Sequence, residues 1–244
     1  MSLARRETRE LELMDDPACD RPALERTYHQ FRLVNRLVAG WRAVYRRRLR
    51  PLLRTGRTVR LLDVGSGGGD VPRALAAWAH RDGLDLDVTA IDPDPRAHDF
   101  AAGRPSVPGV RFRRAASADL VAEGERFDVV TSNHVLHHLA PAELDGLLAD
   151  SAALATTLVV HDDIARSRRA YAAFAVGTLP LAAVPAGRRS FVRPDGLLSI
   201  RRSYRAAELA AVVPPSWTVE RLFPSRLLLV HEPGRAEGPG PTGA

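Results

Sequence analysis

The chain predicts an α/β fold built on a mostly parallel sheet of seven strands, with one antiparallel hairpin at its C-terminal end. Two patterns carry this. Short apolar runs alternate with helical stretches from residue 58 to residue 161, as βαβ units require. Two further apolar runs, Trp217 to Phe223 and Arg226 to His231, are joined only by Pro224-Ser225, and so short a connection joins antiparallel neighbours.

The elements follow in order. Residues 1–20 are charged and lack a sustained apolar period, so they read as a loose lead-in. Pro22 comes two residues after Asp20, a capping residue type at a helix start. Leu24, Tyr28, Phe31, Leu33, Val34, Leu37, Val38, Trp41, Val44 and Tyr45 then recur at helical spacing, giving one helix, or two bent near Gly40, to about Leu53. Strands follow at Thr58 to Val64, Leu86 to Ile91, Val110 to Arg113, Phe127 to Thr131 and Thr157 to His161. Helices are expected at Val71 to His80, Arg96 to Ala102 and Pro141 to Leu154. Past His161 the regular alternation stops, and helices are expected at Arg166 to Val176 and Arg205 to Val212. A single domain over 21–231 results, with a helical cap at 21–54 and an insertion at 164–217 lining an acceptor pocket. The Gly- and Pro-rich stretch 232–244 reads as a disordered tail.

Composition removes several function classes. The chain has 244 residues and one cysteine, Cys19, so an intramolecular disulfide framework is excluded and a reducing, cytoplasmic setting is expected. The N-terminus lacks the apolar stretch of a secretory signal. No run approaches the ~18 apolar residues of a membrane span; the most apolar one, Ala172 to Ala186, is broken by Pro180 and Pro185. The net charge is +6, and all 35 basic residues are arginine. The densest basic run, Arg46-Arg47-Arg48 with Arg50 and Arg54, ends a predicted helix, where cations complement the dipole. It reads as a solvated helix end, with no nucleic-acid partner expected.

The chemistry concentrates where the first strand turns into a helix. Asp63-Val64-Gly65-Ser66-Gly67-Gly68-Gly69-Asp70 is a glycine-rich turn whose backbone a ligand can approach closely, beside the free N–H groups of a helix start. Asp92 ends the next strand, 23 residues after Gly69, an interval at which an acidic residue holds ribose hydroxyls in dinucleotide-binding folds. Loop and acid together indicate a nucleoside-containing cofactor. A dinucleotide fingerprint starting at Gly65 demands Gly or Ala at position 70. Asp70 stands there instead, and a carboxylate repels a pyrophosphate, so a nicotinamide-dependent oxidoreductase is disfavoured.

These residues resemble the class I methyltransferases that use S-adenosyl-L-methionine. Asp63 to Gly69 is similar to that family's Asp/Glu-x-Gly-x-Gly-x-Gly motif, Val88 to Asp92 to its second strand, and Phe127 to Asn133 to its fourth. The resemblance spans residues 58–231 and implies a Rossmann-like methyltransferase fold with S-adenosyl-L-methionine as cofactor. It implies that Gly65, Gly67 and Gly69, with Ser66, face the methionine part, that Asp63 helps hold the amino group, and that Asp92, with Pro93, holds the ribose. Asn133 ends the fourth strand on the same rim. Many relatives carry an Asp near the adenine amino group where this chain has Ala116; Ser117 or backbone groups are the expected substitutes.

After the fourth strand comes Asn133-His134-Val135-Leu136-His137-His138-Leu139. Read as a helix, it places His134, His137 and His138 on one face at the carboxyl end of the sheet, where such folds bind ligands. His134 and His138 are the candidate catalytic bases; the alternative is that these histidines cap a helix or pack beneath the cofactor. Zinc binding lacks an apparent fourth ligand, and no metal is expected. His161 is left open, while Asp163 is expected to cap the following helix and pair with Arg166.

Tyr28, Phe31 and Asn35 share a helical face, and Phe174, Leu179, Leu181, Phe191 and Leu197 add apolar surface; those not in the core suit a small apolar or aromatic acceptor. Asp15-Asp16-Pro17, Leu24 to Tyr28, Phe31 to Arg36, Asp163 to Ser167 and Asp195 to Arg202 are similar to bacterial methyltransferases associated with type III polyketide pathways. That resemblance implies O-methylation of a phenolic or quinonoid compound. C-methylation of a quinone-like ring and a degenerate cofactor-binding regulator are the alternatives.

Overall fold

The structure, a computed structural model, describes residues 3–54, 56–183 and 189–234. Its seven strands are β1 Val59–Val64, β2 Leu86–Ile91, β3 Val110–Arg113, β4 Phe127–Asn133, β5 Ala155–Ile164, β6 Thr218–Leu222 and β7 Arg226–His231. They form one sheet in the order β3-β2-β1-β4-β5-β7-β6. β1 to β5 pair in parallel, and β7 runs antiparallel between β5 and β6. The predicted fold class is therefore the observed one.

The central strands β1 and β4 are buried along most of their length because both faces are covered. Alternate residues divide between the two layers. Leu61, Val129 and Leu228 join Trp41, Tyr45 and Leu75 on one face. Leu62, Val130 and Leu229 join Leu144, Leu148 and Trp217 on the other.

Helix α1, Arg21–Val38, starts where Asp20 accepts the N–H of Ala23 at 3.1 Å. The expected bend falls at Gly40, whose φ of +72° a side-chain-bearing residue adopts at a cost. Beyond it, α2, Trp41–Val44, continues into a π-helical turn at Tyr45–Leu49 and a 3-10 turn at Arg50–Leu52. The crossover helices are α3 Asp70–Arg81, α4 Pro95–Ala102, α5 Ser117–Ala122 and α6 Pro141–Leu154. The segment between β5 and β6 holds α7 Arg168–Gly177, α8 Leu179–Ala183, α9 Val192–Arg202 and α10 Ala206–Ala210.

Three differences from the sequence reading have physical causes. β5 runs on to Ile164 because β7 pairs with it from Val159 to Ile164. α9 was not expected because Pro194 and Gly196 interrupt its apolar period; Pro194 is tolerated in the first turn, where its missing N–H costs nothing. Residues 3–20 are not a loose lead-in. Asp195 accepts the N–H groups of Leu13 and Met14 at 2.9 and 3.0 Å, Arg96 donates to the carbonyl of Asp16 at 2.7 Å, and Arg202 donates to that of Glu10 at 2.8 Å. Their charged side chains find partners distant in sequence, such as His137 for Glu12 and Arg201 for Glu10. Of the expected tail, residues 235–244 lie outside the described residues.

Candidate active site

The glycine loop follows β1 at the carboxyl end of the sheet. Gly65, Gly67 and Gly69 all have positive φ. At Gly69 a Cβ would stand 2.6 Å from the ring of Phe112, and at Gly65 one would stand 2.7 Å from Val135. Glycine is required there both by φ and by the closeness of neighbouring chains.

Three carboxylates surround this loop. Asp63, 1% exposed, accepts a hydrogen bond from the Thr131 hydroxyl at 2.9 Å. Burial pushes its pKa up to about 7, and the nearby Asp70 and Asp92 add to the rise. Asp70 opens α3 and accepts from the Asn35 amide at 3.0 Å; burial raises its pKa too. Asp92 accepts the N–H of Gly67 at 2.8 Å and that of Asp94 at 2.9 Å, and burial again raises its pKa. One buried and two half-buried carboxyls pushed upward together favour a cation between them.

A cavity of about 710 Å³ opens from the loop. Gly65, Ser66, Gly67, Asp92, Pro93, Ala116, Ser117, Asn133, His134 and His138 line it. Asp63 and Gly69, also singled out from the sequence, do not: Asp63 is buried beneath the loop, and Gly69 faces Phe112. The N-terminal segment contributes Leu11, Glu12, Met14 and Asp15, α1 contributes Tyr28, Phe31, Val34, Asn35 and Val38, and the expected insertion contributes Ile164, Phe174, Gly196, Ser199 and Arg202.

The residues after Asn133 form turns, not the helix supposed from sequence. His134 takes φ +59°, and its N–H is held by the carbonyl of Asp162 at 2.9 Å. The three histidines still meet: ring centroids lie 4.3 Å apart for His137 and His138, and 5.9 Å apart for His134 and His137.

Their environments separate their roles. His134 Nε2 accepts from the Arg226 guanidinium at 2.7 Å, while burial and that cation hold its pKa well below the usual value. Its proton therefore sits on Nδ1, and the lone pair a base needs is already occupied. His137, 1% exposed, has Asp163 at 2.7 Å on Nδ1 and Glu12 at 3.3 Å from Nε2. Burial opposes its charge, but the two carboxylates prevail and lift its pKa to about 9. Asp163 therefore serves His137, also accepting its backbone N–H at 2.9 Å. It does not cap the helix after β5, as expected; Ser167 does. The expected partner of Asp163, Arg166, pairs instead with Glu208.

His138 lies at the cavity, with Nδ1 3.0 Å from the carboxylate of Asp15 and Nε2 3.8 Å from Glu12. Among the described residues, Glu12-His137-His138 and His134-His137-Asp163 each bring three ligand-type atoms within 4.8 Å. Both groups need His137, whose Nδ1 is already engaged by Asp163 and whose Nε2 faces Glu12. His161, left open from the sequence, is buried and stacks 5.6 Å from Trp217. Burial depresses its pKa to about 3, so it stays neutral.

Residues 61–156 match a family model described as a methyltransferase domain. The chain is 35% identical over 100 residues to the ubiquinone biosynthesis O-methyltransferase of Azorhizobium caulinodans, covering 40% of this chain and 36% of that protein. It is 33% identical over 147 residues to the protein of the same description from a Methylobacterium species, covering 56% and 55%. The matches thus span from about a third to just over half of these relatives' length. Human N-acetylserotonin methyltransferase in complex with S-adenosylmethionine superimposes with a TM-score of 0.60 at 11% identity, over 88% of this chain and 57% of that one. Magnesium protoporphyrin IX methyltransferase from Synechocystis gives 0.50 at 15% identity, over 83% and 79%. These likenesses establish the class I methyltransferase fold. Among the described residues no helix is long and apolar enough to cross a membrane.

Several residues around the cavity escaped the sequence reading. Glu12 and Arg226 are far from the histidine loop in sequence, and nothing local marks them. Asp15 stood in a quoted motif, Asp15-Asp16-Pro17, without a role.

Proposed function

We propose that the protein is an S-adenosyl-L-methionine-dependent methyltransferase that O-methylates a small phenolic or quinonoid acceptor, with His138 as general base. The observation that carries this is one cavity bounded by carboxylates at one end and the Asp15–His138 pair at another. The cofactor fits the residues present. It carries a sulfonium and an ammonium, and the carboxyls of Asp63, Asp70 and Asp92 have room for such charge beside a backbone free of Cβ atoms.

When bound, the cofactor supplies an electrophilic methyl group on sulfur. The chain's own residues do the rest. Asp70 and Asp92 present acceptors to the cationic end and the ribose, while Asp63 adds negative charge from beneath. Asp15 keeps the proton of His138 on Nδ1, leaving Nε2 to take the acceptor's hydroxyl proton as its oxygen is methylated. Phe31, Val34, Val38, Leu139 and Phe174 give the cavity apolar walls suited to an aromatic ring. The N-terminal segment covers the site and limits water. The printed description of the curated relatives, ubiquinone biosynthesis O-methyltransferase, supports a ring hydroxyl as acceptor. The flanking motifs favour a phenolic product of polyketide type.

The test is transfer of label from methyl-tritiated cofactor to a panel of resorcinols, catechols and hydroquinones, with the product's methyl placed by NMR. An aryl methyl ether formed by wild type and lost in His138→Gln supports the reading. Label on ring carbon contradicts the O-methyl assignment, and retained activity in His138→Gln contradicts the base.

A further inference from the structure

We infer that Asp150 of α6 reads the exocyclic amino group of the cofactor's adenine, an assignment that rests on the cofactor reading above. The sheet order sets β1, β2 and β3 side by side, so the loops after them follow one another along the cavity. A ligand whose cationic end lies at the glycine loop after β1 and whose ribose lies at Asp92 after β2 carries its base to Ala115-Ala116-Ser117, after β3. All three of those residues line the cavity, and none offers a carboxylate. The nearest acid in sequence, Asp119, accepts the N–H of Ala116 at 2.8 Å and is spent on starting α5.

Asp150 arrives there from another element. Gly146, Leu147 and Asp150 share one face of α6 and line the cavity. Gly146 leaves open space, since a Cβ there would meet nothing within 4 Å. Ser117 donates its hydroxyl to Asp150 Oδ2 at 2.6 Å, which fixes the carboxylate at the base end of the cavity. The other oxygen, Oδ1, has no donor among the described residues. A carboxylate held on one oxygen with the other free accepts from an amino group and repels a carbonyl in its place. Ser117 on this reading is a positioning residue, and Asp150 sets the choice between adenine and a 6-oxopurine.

Calorimetric titration with S-adenosyl-L-homocysteine and its deaminated analogue S-inosyl-L-homocysteine tests this on wild type, Asp150→Ala and Asp150→Asn, with melting temperatures taken alongside. Wild type is expected to prefer the adenosyl compound by about tenfold or more, the scale of losing one hydrogen bond to a charged group. Asp150→Ala loses that preference. Asp150→Asn, isosteric and able to donate, moves it toward the inosyl compound. A wild type that binds both equally, or an Asp150→Ala that keeps the preference at an unchanged melting temperature, overturns the assignment and leaves the cofactor reading standing. A wild type that binds neither overturns both.

Discussion

The carboxylate of Asp15 lies 3.0 Å from Nδ1 of His138, tying the N-terminal segment to the loop after β4. The base proposed for the reaction is thus oriented by a residue outside the stretch 61–156 that matches the family model. Asp15→Asn is expected to lower kcat by roughly one to two orders of magnitude, a part of the roughly 10²–10⁴-fold that general acid–base catalysis supplies, with KM for the acceptor little changed. Steady-state kinetics check this; equal kcat in variant and wild type contradicts the pairing. His134→Gln, by contrast, should retain most activity if Arg226 already occupies its Nε2.

Gly69 tolerates no side chain. Its φ is +72°, and a Cβ would meet the Phe112 ring at 2.6 Å. Gly69→Ala is expected to lose about 2 kcal/mol or more of stability, from backbone strain and overpacking together. The loop's shape should suffer with it, weakening cofactor binding. Thermal unfolding and a binding titration measure the two effects, and a wild-type result in both would contradict the strain argument.

The charged His137 between Asp163 and Glu12 makes stability pH-dependent. Its folded pKa of about 9 lies above the ordinary 6.5, so its contribution is complete below about pH 6.5 and is lost as pH rises through 9. Asp163, held below its usual 3.8, works the other way: its contribution is present above 3.8 and fades on acidification. Wild type should therefore lose on the order of 1.4 kcal/mol per pH unit from this histidine between pH 7 and 9. His137→Asn should be less stable at pH 7 and show a flatter alkaline limb in thermal melts. Parallel limbs in the two proteins would contradict the assigned charge.

Asp195 secures the segment over the site by accepting the N–H groups of Leu13 and Met14. Asp195→Ala is expected to cost about 1–3 kcal/mol locally. Hydrogen exchange should then show Leu13 and Met14 losing protection while β1 and β4 keep theirs. Unchanged protection at Leu13 and Met14 would mean that other contacts hold the segment.

The fold was legible because its signals are local. Short apolar runs such as Leu86 to Ile91, the turn at Gly65 to Gly69 and the short Pro224-Ser225 connection each appear within a few residues. The glycine-rich turn was legible for the same reason. The catalytic end was less so. His134, His137 and His138 are adjacent in sequence, but their roles depend on Arg226, Asp163, Glu12 and Asp15, which the fold brings in from both ends of the chain. A helical period also suggested itself for 134–138, where turns and the left-handed His134 occur instead. The segment before Asp20 read as a loose lead-in because the partners of its charges, Arg202 and His137 among them, lie beyond any local window.

The most direct test of the central claim is calorimetric binding of S-adenosyl-L-methionine and its demethylated product to wild type and to Asp92→Ala. The account predicts micromolar binding by wild type and a loss of about tenfold or more in the variant, because Asp92 both faces the cavity and holds the N–H of Gly67 at 2.8 Å. A folded wild type that binds neither compound, or a variant that binds them as well as wild type, would contradict it.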